Sequence, residues 1–144
     1  MFTIDVNNDQ PTLAVDVDRL RLAVENVLVS AGIAEAEVSV AIVDDPTIHR
    51  LNADFLQHDY PTDVLSFLLE RDGDRLDGEI IASADTAIRN AAEFSWPAAD
   101  ELLLYVIHGA LHLVGFDDTS DELKTAMQAA EREHLGRFGL APRY

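Results

Sequence analysis

The chain has 144 residues, no cysteine, 48% apolar residues, and 27 acids against 10 Lys plus Arg, giving a formal charge of −17. This length suits one domain with a single core, and the lack of cysteine excludes disulfides and suits a reducing cytoplasm. So acidic a surface repels polyanions at long range, and on its own it argues against a nucleic-acid partner in favour of a hydrolase of neutral substrates or a chain that docks a basic protein.

The opening MFTIDVNNDQ has neither the basic stretch nor the apolar run of a secretion signal. No apolar run in the chain is long enough to span a membrane. Phe2, Ile4 and Val6 alternate with polar residues and predict a half-buried strand. Residues 16 to 31 carry Leu20, Val24, Val27, Leu28 and Ala31 at helical spacing, stopped by Gly32. Val38, Val40, Ile42 and Val43 predict a second strand. Asp45-Pro46 predicts an N-cap with proline in the first turn of a short helix ending near Phe55. HDYPTD reads as a loop, VLSFLLE as a buried strand, and RDGDRLDG as the hairpin tip leading into EIIAS. From Ser83 onward the pattern is helical: DTAIRNAAEF, an apolar helix from about Pro97 to Val114, and a last helix to about Phe138 opened by a Thr119/Glu122 capping box. The expected fold class is α+β. One compact domain, 1–144, holds a small mixed sheet of about four strands packed by helices, with the helix from Pro97 to Val114 at its centre.

That central helix ends in HGALHLVGFDD, residues 108 to 118. His108 and His112 are one turn apart, so both imidazoles project from one face. Gly115 breaks the helix, and the turning chain can bring Asp118 back beneath the two rings. Two imidazoles and one carboxylate leave a fourth position open, the layout of a catalytic zinc site. Imidazoles without partners on so apolar a helix would be costly to desolvate. Gly109, disfavoured inside a helix by about 1 kcal/mol relative to alanine, implies a close approach of another group to the backbone. The offsets match the H-x-x-x-H-x-x-G-x-x-H frame of zinc proteases, but those place a glutamate base after the first histidine. Here that position is Gly109, which disfavours peptidase chemistry.

HGALHLVGFDD resembles the H-G-x-L-H-L-x-G-Y-D-H signature of the YbeY family of bacterial metal-dependent endoribonucleases. LNADFLQHDYPTDVLSF resembles that family's L-N-x-x-[FY]-R-x-x-D-x-P-T-[DN]-V-L-S-F segment, and DGEIIAS its L-G-D-I-x-I-S strand. The resemblance covers residues 38 to 136 well and the N-terminal third by its strand–helix order. It implies an α+β fold with one zinc on the histidine helix. It also implies cleavage of single-stranded RNA in 3′-end maturation of small-subunit ribosomal RNA, with a role in ribosome quality control and proteins of the small ribosomal subunit as partners. Carried onto this chain, the metal ligands are His108, His112 and the residue at 118.

This sequence departs from the family pattern at two positions. The third family ligand is histidine, but position 118 is aspartate, still a zinc ligand. Its charge makes metal-bound water a weaker acid and tilts preference toward harder divalent ions such as Mn²⁺. The family arginine after L-N-x-x-[FY], suited to phosphate, is Leu56. His58 is the nearest replacement as phosphate contact or general acid, with Arg50 and Arg89 behind it, although a solvated loop histidine has equal standing. His49 and His134 read as surface helix residues, and Asp117 as an orienter of the turn or of a ligand histidine. Ser66 and Thr62 either meet substrate or hydrogen-bond locally. Trp96 and Phe94 either stack a base or plug the core. The rival reading, favoured by the acidic surface and Leu56, is a metal-binding ribosome-assembly factor with weak or no nuclease activity.

Overall fold

Alternating apolar residues build a four-stranded sheet, and a nearly continuous apolar helix fills the space above it. In the computed structural model, which describes residues 1–56 and 62–143, the chain runs β1 (Phe2–Asn8), α1 (Val17–Ser30), β2 (Glu35–Val43), α2 (Asp45–Leu56), β3 (Val64–Asp72), β4 (Arg75–Ser83), α3 (Ala84–Phe94), α4 (Ala98–Leu113) and α5 (Asp121–Gly136). The strand order is β1-β2-β4-β3. β2 is parallel to β1 and to β4, and β3 is antiparallel to β4. This is the mixed sheet of the α+β fold expected from the pattern. No described helix is long and apolar enough to cross a membrane.

The two faces of the sheet bury unequal amounts, because successive strand residues point to opposite sides. Ile4, Val38, Val40, Ile42 and Ile80 join Leu28 of α1 and Leu103, Ile107 and Leu111 of α4 in the main core. Ile81 and Val43, their neighbours in sequence, instead meet Ile48 of α2 and Leu65 in a small second cluster. α4 is buried almost all round, which suits a helix apolar on every side. It packs on α1, α3, α5 and the β3–β4 hairpin.

Local expectations change where the tertiary surroundings intervene. β3 is an edge strand, not a buried one: Leu65 is buried, but Leu68 and Leu69 are 52% and 62% exposed, beside a register shift at Leu68/Glu70. The hairpin tip shrinks to Gly73-Asp74, and Gly73 adopts φ 58°, the left-handed conformation of a two-residue hairpin turn. Asp44, not Asp45, caps α2, its Oδ1 accepting from the Thr47 amide at 2.9 Å. Asp45 instead ties α2 to α3 by accepting from Ser83 Oγ (2.6 Å), Thr86 Oγ1 (2.8 Å) and Arg89 (2.5 Å). Burial works to raise the Asp45 pKa, but these hydrogen bonds and the Arg89 charge hold it below the ordinary carboxylate value. Ser120 replaces Thr119 as the cap of α5, its Oγ accepting from the Leu123 amide at 3.2 Å. His134 is not on the surface. It is 4% exposed, on the α5 face that buries Met127 and Leu135, and burial holds its pKa below the ordinary imidazole value.

Candidate metal centre

The last two turns of α4 and the turn after it bring three donors together. His108 Nε2 and His112 Nε2 lie 3.1 Å apart. Asp118 Oδ2 lies 3.7 Å from the first and 3.9 Å from the second. Donors bound at ~2.0–2.1 Å to one tetrahedral ion stand about 3.3 Å from one another, so the observed spacing suits a single divalent ion. Among the described residues this is the cluster of His, Cys, Asp and Glu whose donor atoms fall within 4.8 Å of one another.

Each donor is held by a local cause. Gly115, at φ 110°, ends α4. Its amide bonds to the His112 carbonyl and the Phe116 amide to the Leu111 carbonyl, the paired bonds of a Schellman turn. The chain then doubles back, and the Asp117 carboxylate fixes the turn by accepting from the Asp118 amide at 2.8 Å and from the Thr119 hydroxyl at 3.2 Å. Asp117 thus orients the turn that carries Asp118.

Gly109 is required by packing. A Cβ there would stand 2.8 Å from Ile80 Cγ2, 3.0 Å from Ser66 Oγ and 3.1 Å from Val64 Cγ2. The Ser66 hydroxyl donates to the Gly109 carbonyl at 2.9 Å. Ser66 therefore anchors the histidine helix to β3 by the local hydrogen bond while also lining the groove at the donor set. A larger side chain after His108 forces Ile80 and Val64 to shift, so a glutamate base in that position is sterically disfavoured.

The sequence reading missed Glu131. Its carboxylate, 5% exposed, lies 2.8 Å from His108 Nδ1. A proton on Nδ1 donated to Glu131 leaves the Nε2 lone pair facing His112 and Asp118, the orientation a metal requires. Burial works to lower the His108 pKa, but the hydrogen bond and charge of Glu131, with Asp63 and Asp118 nearby, outweigh it and hold the imidazole above its ordinary value. The available signal was an acid sitting among Met127, Ala130 and Leu135 on the buried face of α5.

Two grooves open from the donor set. One, of 620 Å³, runs along β3 past Leu56, Thr62, Ser66, His112 and Phe116, and among the described residues no lysine or arginine lines it. The other, of 380 Å³, runs between α3 and α5 past Phe94, Tyr105, His108 and Met127. Thr62 donates to the Asp63 carboxylate at 3.3 Å. His58 lies outside the described residues. Arg89 is committed to Asp45 and Thr86, and Arg50 is exposed on α2; neither lines either groove. Trp96 plugs the core, its indole donating to buried Glu101 at 2.8 Å.

The comparisons with known proteins agree with one another. The family model "Endoribonuclease YbeY" matches residues 5–139. Endoribonuclease YbeY of Rhodopirellula baltica is 50% identical over 111 residues, and the match takes in 76% of this chain but only 57% of that longer protein. The proteins of the same name from Salinibacter ruber (33% identical, 96% of this chain and 94% of the relative) and Syntrophotalea carbinolica (37%, with 96% and 97%) are matched nearly end to end. The solution structure of a Thermotoga maritima protein superposes with a TM-score of 0.66 over 95% of this chain and 92% of that one, at 31% identity. The chain belongs to the endoribonuclease YbeY family.

Proposed function

We propose that the chain is a zinc-dependent, single-strand-specific endoribonuclease acting in 3′-end maturation of small-subunit ribosomal RNA and in ribosome quality control. In this reading residues 1–144 form one catalytic domain working in the cytoplasm. Family membership supports the RNA substrate, and one observation carries the metal dependence: the convergence of His108, His112 and Asp118 with His108 already oriented by Glu131. His108, His112 and Asp118 would hold the ion, and a bound divalent ion supplies Lewis acidity toward a phosphoryl oxygen and acidity to water. The chain's own residues do the rest. Glu131 keeps the His108 Nε2 lone pair facing the site, Asp117 holds the turn that presents Asp118, and Ser66 keeps α4 seated on β3.

The carboxylate at 118 favours harder ions, so Mn²⁺ competes with Zn²⁺ better here than at a three-histidine site. His58 is proposed as the phosphate contact or general acid, because it belongs to the segment joining Leu56 to Thr62, both of which line the β3-side groove. With only 10 Lys plus Arg, proteins of the small ribosomal subunit would bridge the chain to its RNA.

Cleavage of single-stranded ribosomal RNA by wild type and by His112→Ala tests this reading. The wild type is expected to cut and the variant to be inactive; equal rates would overturn it. The absence of lysine and arginine among the described residues lining the β3-side groove favours a second reading, a metal-binding ribosome-assembly factor with weak or no cleavage. That reading predicts full metal occupancy in wild type with no turnover.

A further inference from the structure

Positive charge is scarce in this chain, and its placement is informative. Arg19, Arg21, Arg75, Arg89 and Arg137 are paired with acids, and Arg50, Arg71 and Arg132 line neither groove at the donor set. Lys124, the chain's single lysine, and Arg143 line the groove between α3 and α5. Among the described residues neither forms an ion pair. Arg143 is held in place by donating to the Ser95 carbonyl at 3.1 Å, where Ser95 turns the chain at the end of α3 with φ 57°. Its charge is left facing the groove rather than a carboxylate.

Four acids also line this groove, Asp63, Glu101, Asp118 and Glu131, but Glu101 and Glu131 are buried and each acid already meets a partner other than the two cations. Glu101 accepts from Trp96, Glu131 meets His108, Asp63 accepts from the Val64 amide, and Asp118 belongs to the donor set. Phe94, 36% exposed, adds a ring, and the Asn90 side chain, donating to the Tyr105 hydroxyl at 2.8 Å, fixes the polar floor. At 380 Å³ the groove lies at the small end of the ~300–1,000 Å³ range of ligand sites, room for one nucleotide. His108 and Asp118 form its inner edge.

We propose that this groove binds the nucleotide next to the scissile phosphate, its phosphate on Lys124 and Arg143 and its base stacked on Phe94. Single-stranded RNA thus enters the donor set from the α3–α5 side. This assignment rests on the nuclease reading above. It follows from charge: on a surface of −17, a polyanion is drawn to the place where unpaired cations adjoin the metal centre, and an aromatic ring beside them is the usual platform for a single-stranded base.

The test compares wild type, Lys124→Gln/Arg143→Gln, Phe94→Ala and the charge-matched control Arg21→Gln/Arg71→Gln, all metal-loaded. Binding of a cleavage-resistant phosphorothioate single-stranded RNA is followed by anisotropy across a salt series, and KM and kcat are measured on ordinary RNA. Loss of both cations should flatten the log Kd against log salt slope by about 0.7, since the one phosphate they share contributes about 0.7 on a single strand. It should raise KM much more than it lowers kcat. Phe94→Ala should weaken binding roughly five- to a hundredfold with the salt slope unchanged. The control should leave both slope and KM as in wild type. If the groove variants bind like the control while wild type still cleaves and His112→Ala does not, the groove assignment falls and the nuclease reading stands. If His112→Ala cleaves as well as wild type, the nuclease reading itself falls.

Discussion

The donor set has two halves, and they are built differently. The histidine half sits on the most buried helix of the molecule, clamped by Ser66 at Gly109 and by Glu131 at His108. The aspartate half sits on the connection between α4 and α5, residues 114–120, with the Asp118 side chain 42% exposed and fixed mainly by a neighbouring side chain, Asp117. A ligand on a packed helix has its position determined by the core. A ligand on an exposed turn can move, and water can take its place. The comparison teaches that, in the proposed metal site, the histidines would set where an ion sits and residue 118 would tune which ion is preferred.

That contrast can be broken by substitution. His112→Ala should have the largest effect, weakening metal affinity by well over the ~10–100-fold typical of outer-shell changes and abolishing RNA cleavage; metal titration of the purified variant measures it. Glu131→Gln should weaken metal binding by about 10–100-fold, as read by metal titration of the folded variant. An unchanged affinity would show that the His108–Glu131 bond does not orient the ligand. Gly109→Ala forces a methyl against Ile80 and Val64. It should destabilise the protein by about 1–3 kcal/mol through overpacking, more than the ~1 kcal/mol of helix propensity it gains, as read by denaturant unfolding. Asp118→Ala should reduce metal affinity less than His112→Ala does and shift the Mn²⁺ to Zn²⁺ preference toward Zn²⁺. Full occupancy in that variant would remove Asp118 from the donor set. The smallest effect is expected for Asp117→Ala, less than about tenfold in metal affinity, the scale of one ordinary hydrogen bond. A loss equal to that of Asp118→Ala would mean the turn is as rigid as the helix.

The sequence patterns located every helix and strand of the described structure, because apolar spacing reports which face of an element is covered. They misjudged what depends on neighbours. VLSFLLE looks buried because it is apolar, yet it became the edge strand β3, since nothing in a strand's own residues says whether a second layer covers its far end. Asp45 and Thr119 lost their expected capping roles to Asp44 and Ser120, one residue away, which is the resolution at which local signals compete. His134 looked like a surface residue because a lone histidine carries no burial signal.

At the candidate site, HGALHLVGFDD alone was enough to propose His108, His112 and Asp118. Their i, i+4 spacing and the glycine stop are local geometry, determined over eleven consecutive residues. Gly109 likewise announced a close contact through its helix penalty. Only the tertiary structure decided what makes that contact, because Ile80 and Ser66 come from strands remote in sequence. The same holds for Glu131, 23 residues beyond His108, and for the placing of Lys124 and Arg143 in one groove beside the candidate donor set. Spacing along one helix can be read from the chain, but the partners that orient a ligand or draw in a phosphate come from other elements, and the packing of those elements alone brings them together.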